Sequence, residues 1–231
     1  MERLRTGSDS GDRILCGGFP ENSVNIIIGP PGTGKTVFAQ TLAWQNTGRP
    51  RPVLYCATLA EPLSKLLRYL QELSFFDPAI VGSKILYEDL SEPLLRQGFT
   101  GLNTSLRDKI KDRKPSILMI DSFKAAQELG GSNQDVQRTT SELIGLLSAY
   151  DVTSFLVGEY HEREIRTAPV FAAADGIVEL SRSLNGDRDE RYLRVLKLRG
   201  SDYLAGLHPF HISSCGFVFG SRSAERPTAE G

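Results

Sequence analysis

The sequence predicts an α/β fold: a mostly parallel central sheet flanked by helices, with an antiparallel extension near the carboxyl terminus. Three observations carry that reading. Short apolar runs alternate with longer amphipathic segments over most of the chain, the pattern of strand and crossover helix. The run at 24–28 leads straight into Gly29-Pro30-Pro31-Gly32-Thr33-Gly34-Lys35-Thr36, a glycine-rich octapeptide that joins a buried strand to a helix in the pattern G-x-x-x-x-G-K-[ST]. From Asp175 onward, strand-like runs follow one another with only turns between them, as at a sheet edge.

In chain order, residues 1–12 are rich in Arg, Gly, Ser and Asp and show no apolar periodicity, so this end is expected to be loosely held. Strands are expected at 24–28, 53–57, 84–87, 117–120 and 153–157, with helices in the gaps. Phe38 and Leu42, one turn apart, mark the helix after the octapeptide. Ser91-Glu92-Pro93 resembles a capped helix start with proline in the first turn, and Leu143, Leu147 and Tyr150 give 134–150 a helical face. Further strands are expected at 176–180, 192–198 and 217–219. The 231 residues suit one large domain, placed at 1–220, with 221–231 as a flexible tail.

Bulk charge excludes some functions. Lys plus Arg number 27 and Asp plus Glu 28, so no global field draws the chain to nucleic acid or to an anionic membrane. No run is long enough to cross a bilayer and no leader is evident, so a soluble cytoplasmic protein is expected. Cys16, Cys56 and Cys215 lack the close pairing of a metal site and read as reduced structural thiols. The basic run Lys109, Lys111, Arg113 and Lys114 suits a helix end facing water, with nucleic-acid contact the weaker alternative. His161, alone in a charged loop, reads as solvated.

The octapeptide points to a nucleoside triphosphate. Its glycines let successive backbone N–H groups turn toward one anion, Lys35 reaches the outer phosphates, and the Thr36 hydroxyl can ligate magnesium. Gly32, Thr33, Gly34, Lys35, Thr36 and Val37 are therefore candidate nucleotide contacts. A magnesium nucleotide also needs a carboxylate at the end of a buried strand, and Ile117-Leu118-Met119-Ile120-Asp121 supplies one. Thr36 and Asp121 are the candidate metal ligands. The alternative for Asp121 is a turn cap with Ser122.

Taken in order, Thr6-Gly7, Gly17-Gly18-Phe19-Pro20, the P-loop, Thr58-Leu59-Ala60-Glu61, Ile120-Asp121-Ser122, Ala174-Asp175-Gly176-Ile177 and Leu196-Lys197-Leu198-Arg199-Gly200 with His208-Pro209-Phe210 resemble single-domain KaiC-like proteins. These form a branch of the RecA-like P-loop ATPases. The resemblance covers nearly the whole chain. It implies ATP and Mg²⁺ as cofactors and a homo-oligomeric ring, usually a hexamer, with ATP held between neighbours. A nucleotide-state switch is the expected role, and a further, unidentified protein partner is left open. Lys197, Leu198 and Arg199 then approach the neighbour's nucleotide, with Ser201, Tyr203, Ser213 and Ser214 at positions matched to the same role. Alternation along a strand puts Lys197 and Arg199 on one face; the alternative is a pair of solvated edge charges.

The chain departs from that family at three places. Relatives usually carry two glutamates after the second strand, the first credited with activating water, and Ala60 stands at that position. Glu61 remains as a candidate catalytic residue beside Lys35, Lys197 and Arg199, or as a helix N-terminal charge. Phe171 and Ala172 occupy positions where the autophosphorylating half of KaiC has hydroxyl acceptors, which argues against autokinase activity. Ser10-Gly11 replaces the usual glycine and leucine before Asp12. Glu159 stands where RecA-like proteins place a γ-phosphate sensor; the alternative is a surface salt bridge within 159–166. Slow ATP hydrolysis is the leading expectation. A nucleotide-binding scaffold with vestigial hydrolysis, and a DNA-associated recombinase paralogue, are the alternatives.

Overall fold

The computed structural model describes residues 2–59, 62–185 and 188–220. Its strands and helices in chain order are β1 (Arg3–Leu4), α1 (Asp9–Ile14), β2 (Phe19–Pro20), β3 (Val24–Ile28), α2 (Lys35–Gln45), β4 (Val53–Ala57), α3 (Leu63–Leu70), β5 (Ile85–Asp89), α4 (Ser91–Arg113), β6 (Ile117–Asp121), α5 (Phe123–Glu128), α6 (Asn133–Ala149), β7 (Thr153–Gly158), α7 (Glu162–Thr167), α8 (Pro169–Ala173), β8 (Gly176–Asn185), β9 (Arg188–Leu198), β10 (His208–Ser213) and β11 (Gly216–Phe219). Nine strands form one sheet in the order β11-β10-β9-β8-β3-β7-β6-β4-β5. Neighbours from β8 to β5 pair in parallel, and β9, β10 and β11 add antiparallel. The expected mixed architecture is present.

The sheet is buried on both faces because its central strands are mostly apolar, with only Asn25, Thr153 and Ser154 as buried polar exceptions in β3 and β7, which suits a parallel sheet covered twice by helices. Alternation splits β3 between two cores. Ile27 joins Phe38, Tyr55, Met119 and Phe155 on the side of α2 and α3. Ile26 and Ile28 join Leu54, Leu118 and Leu156 on the other, under α4, α6 and α8.

Two expectations are corrected. The amino-terminal segment is ordered, with Leu4 fully buried and β1 paired to β2. The buried Asp12 carboxylate organises it, accepting from the Thr6 N–H (2.6 Å), the Thr6 hydroxyl (2.9 Å) and Arg5 Nε (2.6 Å). Gly11 fits because any Cβ there would lie 2.4 Å from the Phe219 ring. The cap of α4 is also not Ser91. Its N–H is accepted by the Asp89 carboxylate at 2.8 Å, and a break at Gly98 (φ 60°, ψ −153°) divides that helix. Of the three thiols only Cys56 is buried. Residues 221–231, expected to be a tail, lie outside the described residues, and among those described no helix is long and apolar enough to cross a membrane.

Candidate functional site

The P-loop leaves the carboxyl end of β3 and enters α2 at Lys35, so the first N–H groups of a helix of 11 residues converge on the loop. Gly34 is the cap and supplies no side-chain acceptor, which leaves those donors for an anion. Two glycines are required by close approach as well as by backbone angle. A Cβ at Gly29 (φ 150°) would sit 2.1 Å from the Leu180 carbonyl oxygen, and one at Gly34 (φ 102°) 2.6 Å from Ile212 Cδ1. Gly32 (φ 73°) has nothing within 4 Å of its Cβ position. Gly29→Ala is expected to lower the unfolding free energy by roughly 3 kcal/mol, from backbone strain and the displaced carbonyl together. Gly32→Ala is expected to lower it by only about 1 kcal/mol. Equal losses in chemical denaturation would show that crowding is not what Gly29 avoids.

Thr33 is buried and closes the loop, its hydroxyl donating to the Pro30 carbonyl at 2.8 Å. The Lys35 ammonium is also buried. It donates to the Gly29 and Pro30 carbonyls, both at 2.9 Å, and meets Glu159 Oε1 at 3.2 Å. Glu159 thus pairs with the P-loop lysine. Glu164 of the same segment pairs with Lys124.

Asp121 emerges from the end of β6, between β7 and β4. Its Oδ2 accepts a hydrogen bond from the Tyr55 hydroxyl at 2.8 Å. Ser122, not Asp121, caps α5, its hydroxyl accepting from the Ala125 N–H at 3.3 Å. Thr58 holds the junction: its hydroxyl donates to the Ser122 carbonyl at 2.9 Å, and its N–H donates to the Asp121 carbonyl at 3.0 Å. A cleft of about 1130 Å³ gathers Gly32, Gly34, Lys35, Thr36, Val37, Asp121, Glu159 and Ile212 along its walls. One carboxylate and one hydroxyl are a sparse metal set, and among the described residues no group of three His, Cys, Asp or Glu could hold an ion alone. That fits magnesium, which keeps its waters and takes phosphate oxygens.

The remaining predicted residues divide between the two ends of the sheet. β9 runs back along β8, and the pairings Ile26↔Ile177 and Ile177↔Lys197 put Lys197 well below the P-loop end of β3. Arg199 lies beyond, its N–H bonded to the Asp175 carbonyl. Both cations reach the carboxyl end of α8. Lys197 Nζ donates to the carbonyls of Phe171 (3.1 Å) and Ala172 (2.9 Å), and Arg199 to Ala172 (2.9 Å), with Asp175 Oδ1 at 3.7 Å. Burial, and then Arg199, push the Lys197 ammonium below the usual lysine range. Between them the Leu198 side chain belongs to the core. Ser201 accepts from Arg3 at 2.8 Å, and the Tyr203 N–H bonds Asp202, also away from this chain's cleft.

Ser213 and Ser214 differ. β10 runs in the same direction as β3, so its last residues return to the P-loop end, where Ile212 lines the cleft. Ser213 accepts from the Cys215 N–H at 3.1 Å, and the Ser214 carbonyl accepts from the Ser74 N–H at 2.8 Å. These two serines therefore lie toward the P-loop end of the sheet and not with Ser201 and Tyr203. Ala60 and Glu61 lie outside the described residues.

Sequence reasoning missed the polar groups beneath the cleft. Burial first, and then Asp121, raise the Tyr55 phenol well above its ordinary range, so it stays a proton donor. Tyr160 is likewise raised by burial, donates to Gln127 Oε1 at 2.6 Å, and lies under Lys124 at 5.2 Å. Burial works against ionisation of Glu164, but the Lys124 hydrogen bond and the His161 N–H hold it below the usual carboxylate range. A tyrosine inside a wholly apolar strand is the one available signal, because its hydroxyl must find a partner.

The family described as "ATPase: KaiC" matches residues 4–223. The chain belongs to the KaiC ATPase family. Membership supports ATP binding and hydrolysis and accounts for the order of motifs along the chain. Among KaiC relatives, a UPF0273 protein of Thermotoga maritima is 26% identical over 94% of this chain and 96% of its own length. The circadian clock oscillator protein KaiC 1 of Synechocystis is also 26% identical, but this chain covers only 44% of it. A crystal structure of a KaiC-like protein from Pyrococcus horikoshii has the same fold, with a TM-score of 0.83 at 22% identity over 95% of this chain and 99% of its own.

Proposed function

We propose that this KaiC-family protein binds Mg-ATP in the cleft between the P-loop and Asp121 and hydrolyses it slowly. In this reading identical subunits form a ring that switches with nucleotide state. The observation that carries it is the gathering of Gly32, Gly34, Lys35, Thr36, Val37 and Asp121 in one cleft, with Lys197 and Arg199 at the opposite end of the sheet.

The loop N–H groups and the start of α2 bind the phosphates. Lys35 exchanges Glu159 for the outer phosphates, which frees that carboxylate to respond to the γ-phosphate. Thr36 and Asp121 hold magnesium or a water of its shell. The ion, when bound, neutralises charge on the phosphate oxygens. Lys197 and Arg199 leave the carbonyls of α8 and complete a neighbour's site, with Ser201 and Tyr203 beside them. Ser213 and Ser214 stay near their own chain's nucleotide. Glu61 is the remaining candidate for orienting water at the Ala60 step. Phe171 and Ala172 cannot accept phosphate, so no autokinase role is assigned.

The test pairs phosphate release with mass in solution, with and without ATP. Release above a Lys35→Ala control, together with ATP-dependent assembly, is expected. Assembly with tight ATP binding but no turnover would establish the second reading, a scaffold, which Ala60 favours. Absence of nucleotide binding would end both.

A further inference from the structure

Asp121 is held from beneath. Tyr55 stands in β4 two residues before the partner of Asp121, in the register Ala57↔Asp121 and Tyr55↔Met119, so its ring rises through the core toward the carboxylate. The ring is fully buried and its hydroxyl meets Asp121 Oδ2 at 2.8 Å. The same buried layer contains a second polar run: Trp44 Nε1 donates to the Tyr87 hydroxyl at 2.9 Å, which donates to Gln40 Oε1 at 2.8 Å. Gln40 is 1% exposed, and its amide nitrogen has no hydrogen-bond partner among the described residues. Gln40 and Trp44 belong to α2, the helix that begins at the P-loop, and the Tyr55 and Tyr87 rings lie 5.5 Å apart. An apolar core does not need these groups. Phenylalanine at both tyrosines and leucine at Gln40 would fill the space without stranding a donor.

We infer that Tyr55 is a positioning residue for the metal: it fixes one oxygen of Asp121 so that the carboxylate meets magnesium, or a water of its shell, in a single orientation. The carboxylate torsion is broad and roughly two-fold, so a hydrogen bond to one of its oxygens narrows the directions it samples. A phenol restrains it without neutralising it, whereas a lysine or arginine in that place would compete with the cation for its charge. Partners of this kind, one step behind the ligand, typically change metal affinity or activity by about 10- to 100-fold when removed.

The inference rests on the reading of Asp121 as the residue that faces magnesium, and the test separates the two. Binding of a fluorescent, slowly hydrolysed ATP analogue to the full chain is measured by titrating Mg²⁺, and again in EDTA. For Tyr55→Phe, the Mg²⁺ concentration at half effect is expected to rise about 10- to 100-fold, while affinity in EDTA stays as in the unaltered protein. Asp121→Asn is expected to shift it further, and Tyr55→Phe added to Asp121→Asn to change nothing more. A normal Mg²⁺ response in Tyr55→Phe beside a shifted Asp121→Asn overturns the inference and leaves the reading of Asp121 intact. A normal response in both overturns both. Equal effects of Tyr55→Phe with and without Asp121 assign the tyrosine a structural role only. If Tyr55→Phe does not fold, tyrosine labelled with ¹³C at Cζ in the unaltered protein decides. A buried resonance is expected to move when Mg²⁺ joins the bound nucleotide, and a spectrum without change refutes the role.

Discussion

Replacing Arg199 with alanine is expected to slow steady-state phosphate release by roughly 10³ to 10⁵ while leaving the protein folded. The guanidinium is half exposed, and its contacts are α8 carbonyls and a 3.7 Å approach to Asp175. Contacts of that kind change stability by no more than about 1 kcal/mol when lost. A large kinetic loss without a matching thermal shift therefore assigns Arg199 to the transition state. Because the residue stands at the far end of the sheet from its own P-loop, complementation gives a second readout. Mixing Arg199→Ala chains with Lys35→Ala chains is expected to restore part of the turnover that neither shows alone, since each supplies what the other lacks. Undiminished release by Arg199→Ala, or no recovery in mixed assemblies that do form, would return Arg199 to its alternative as a surface charge.

Installing a glutamate at Ala60 is expected to raise kcat by roughly 10² to 10⁴, the usual contribution of a positioned general base. The alanine methyl cannot accept a proton from water, and the neighbouring Glu61 is the nearest carboxylate in sequence. Three variants distinguish the arrangements: Ala60→Glu, Glu61→Gln and the two together, compared at saturating Mg-ATP. If Glu61 already orients the water, Glu61→Gln falls by a similar factor and Ala60→Glu gains little. If neither carboxylate is used, Glu61→Gln is neutral and Ala60→Glu gains in full. An Ala60→Glu protein that folds, binds ATP and turns over no faster in either background would show that a base at this position does not limit turnover.

The elements legible in the sequence are those whose residues declare themselves locally. β4 is an unbroken apolar run, β6 is one up to Asp121 and β3 is interrupted only by Asn25, and the spacing of glycines before Lys35-Thr36 suffices to place the phosphate loop. β10 escaped notice because His208, Pro209, His211 and Ser213 dilute its pattern; only Phe210 and Ile212 mark its inward face. The amino-terminal order depends on contacts no local periodicity reveals, such as the Asn46 amide donating to the Arg5 carbonyl. The same limit applies within the cleft. Lys35, Thr36 and Asp121 follow from motif and strand end, whereas Glu159 finds Lys35 across 124 residues and Tyr55 finds Asp121 across 66. Resemblance placed Ser213 and Ser214 with Ser201 and Tyr203, but which end of the sheet a strand finishes on depends on its direction, and β10 runs with β3.

The polarity of the sheet also limits how copies of this chain can meet. If the two cations serve another copy's cleft, unlike surfaces must come together, one from each end of the molecule. A twofold axis does this only where one continuous patch holds both the cations and the cleft, so that each copy serves the other at once. Where cations and cleft lie in separate patches the contact is head-to-tail, and repeating it either closes a circle or runs on as a filament. Every open chain of copies then ends in one cleft without a donor and one donor without a cleft, and only closure leaves no site half built.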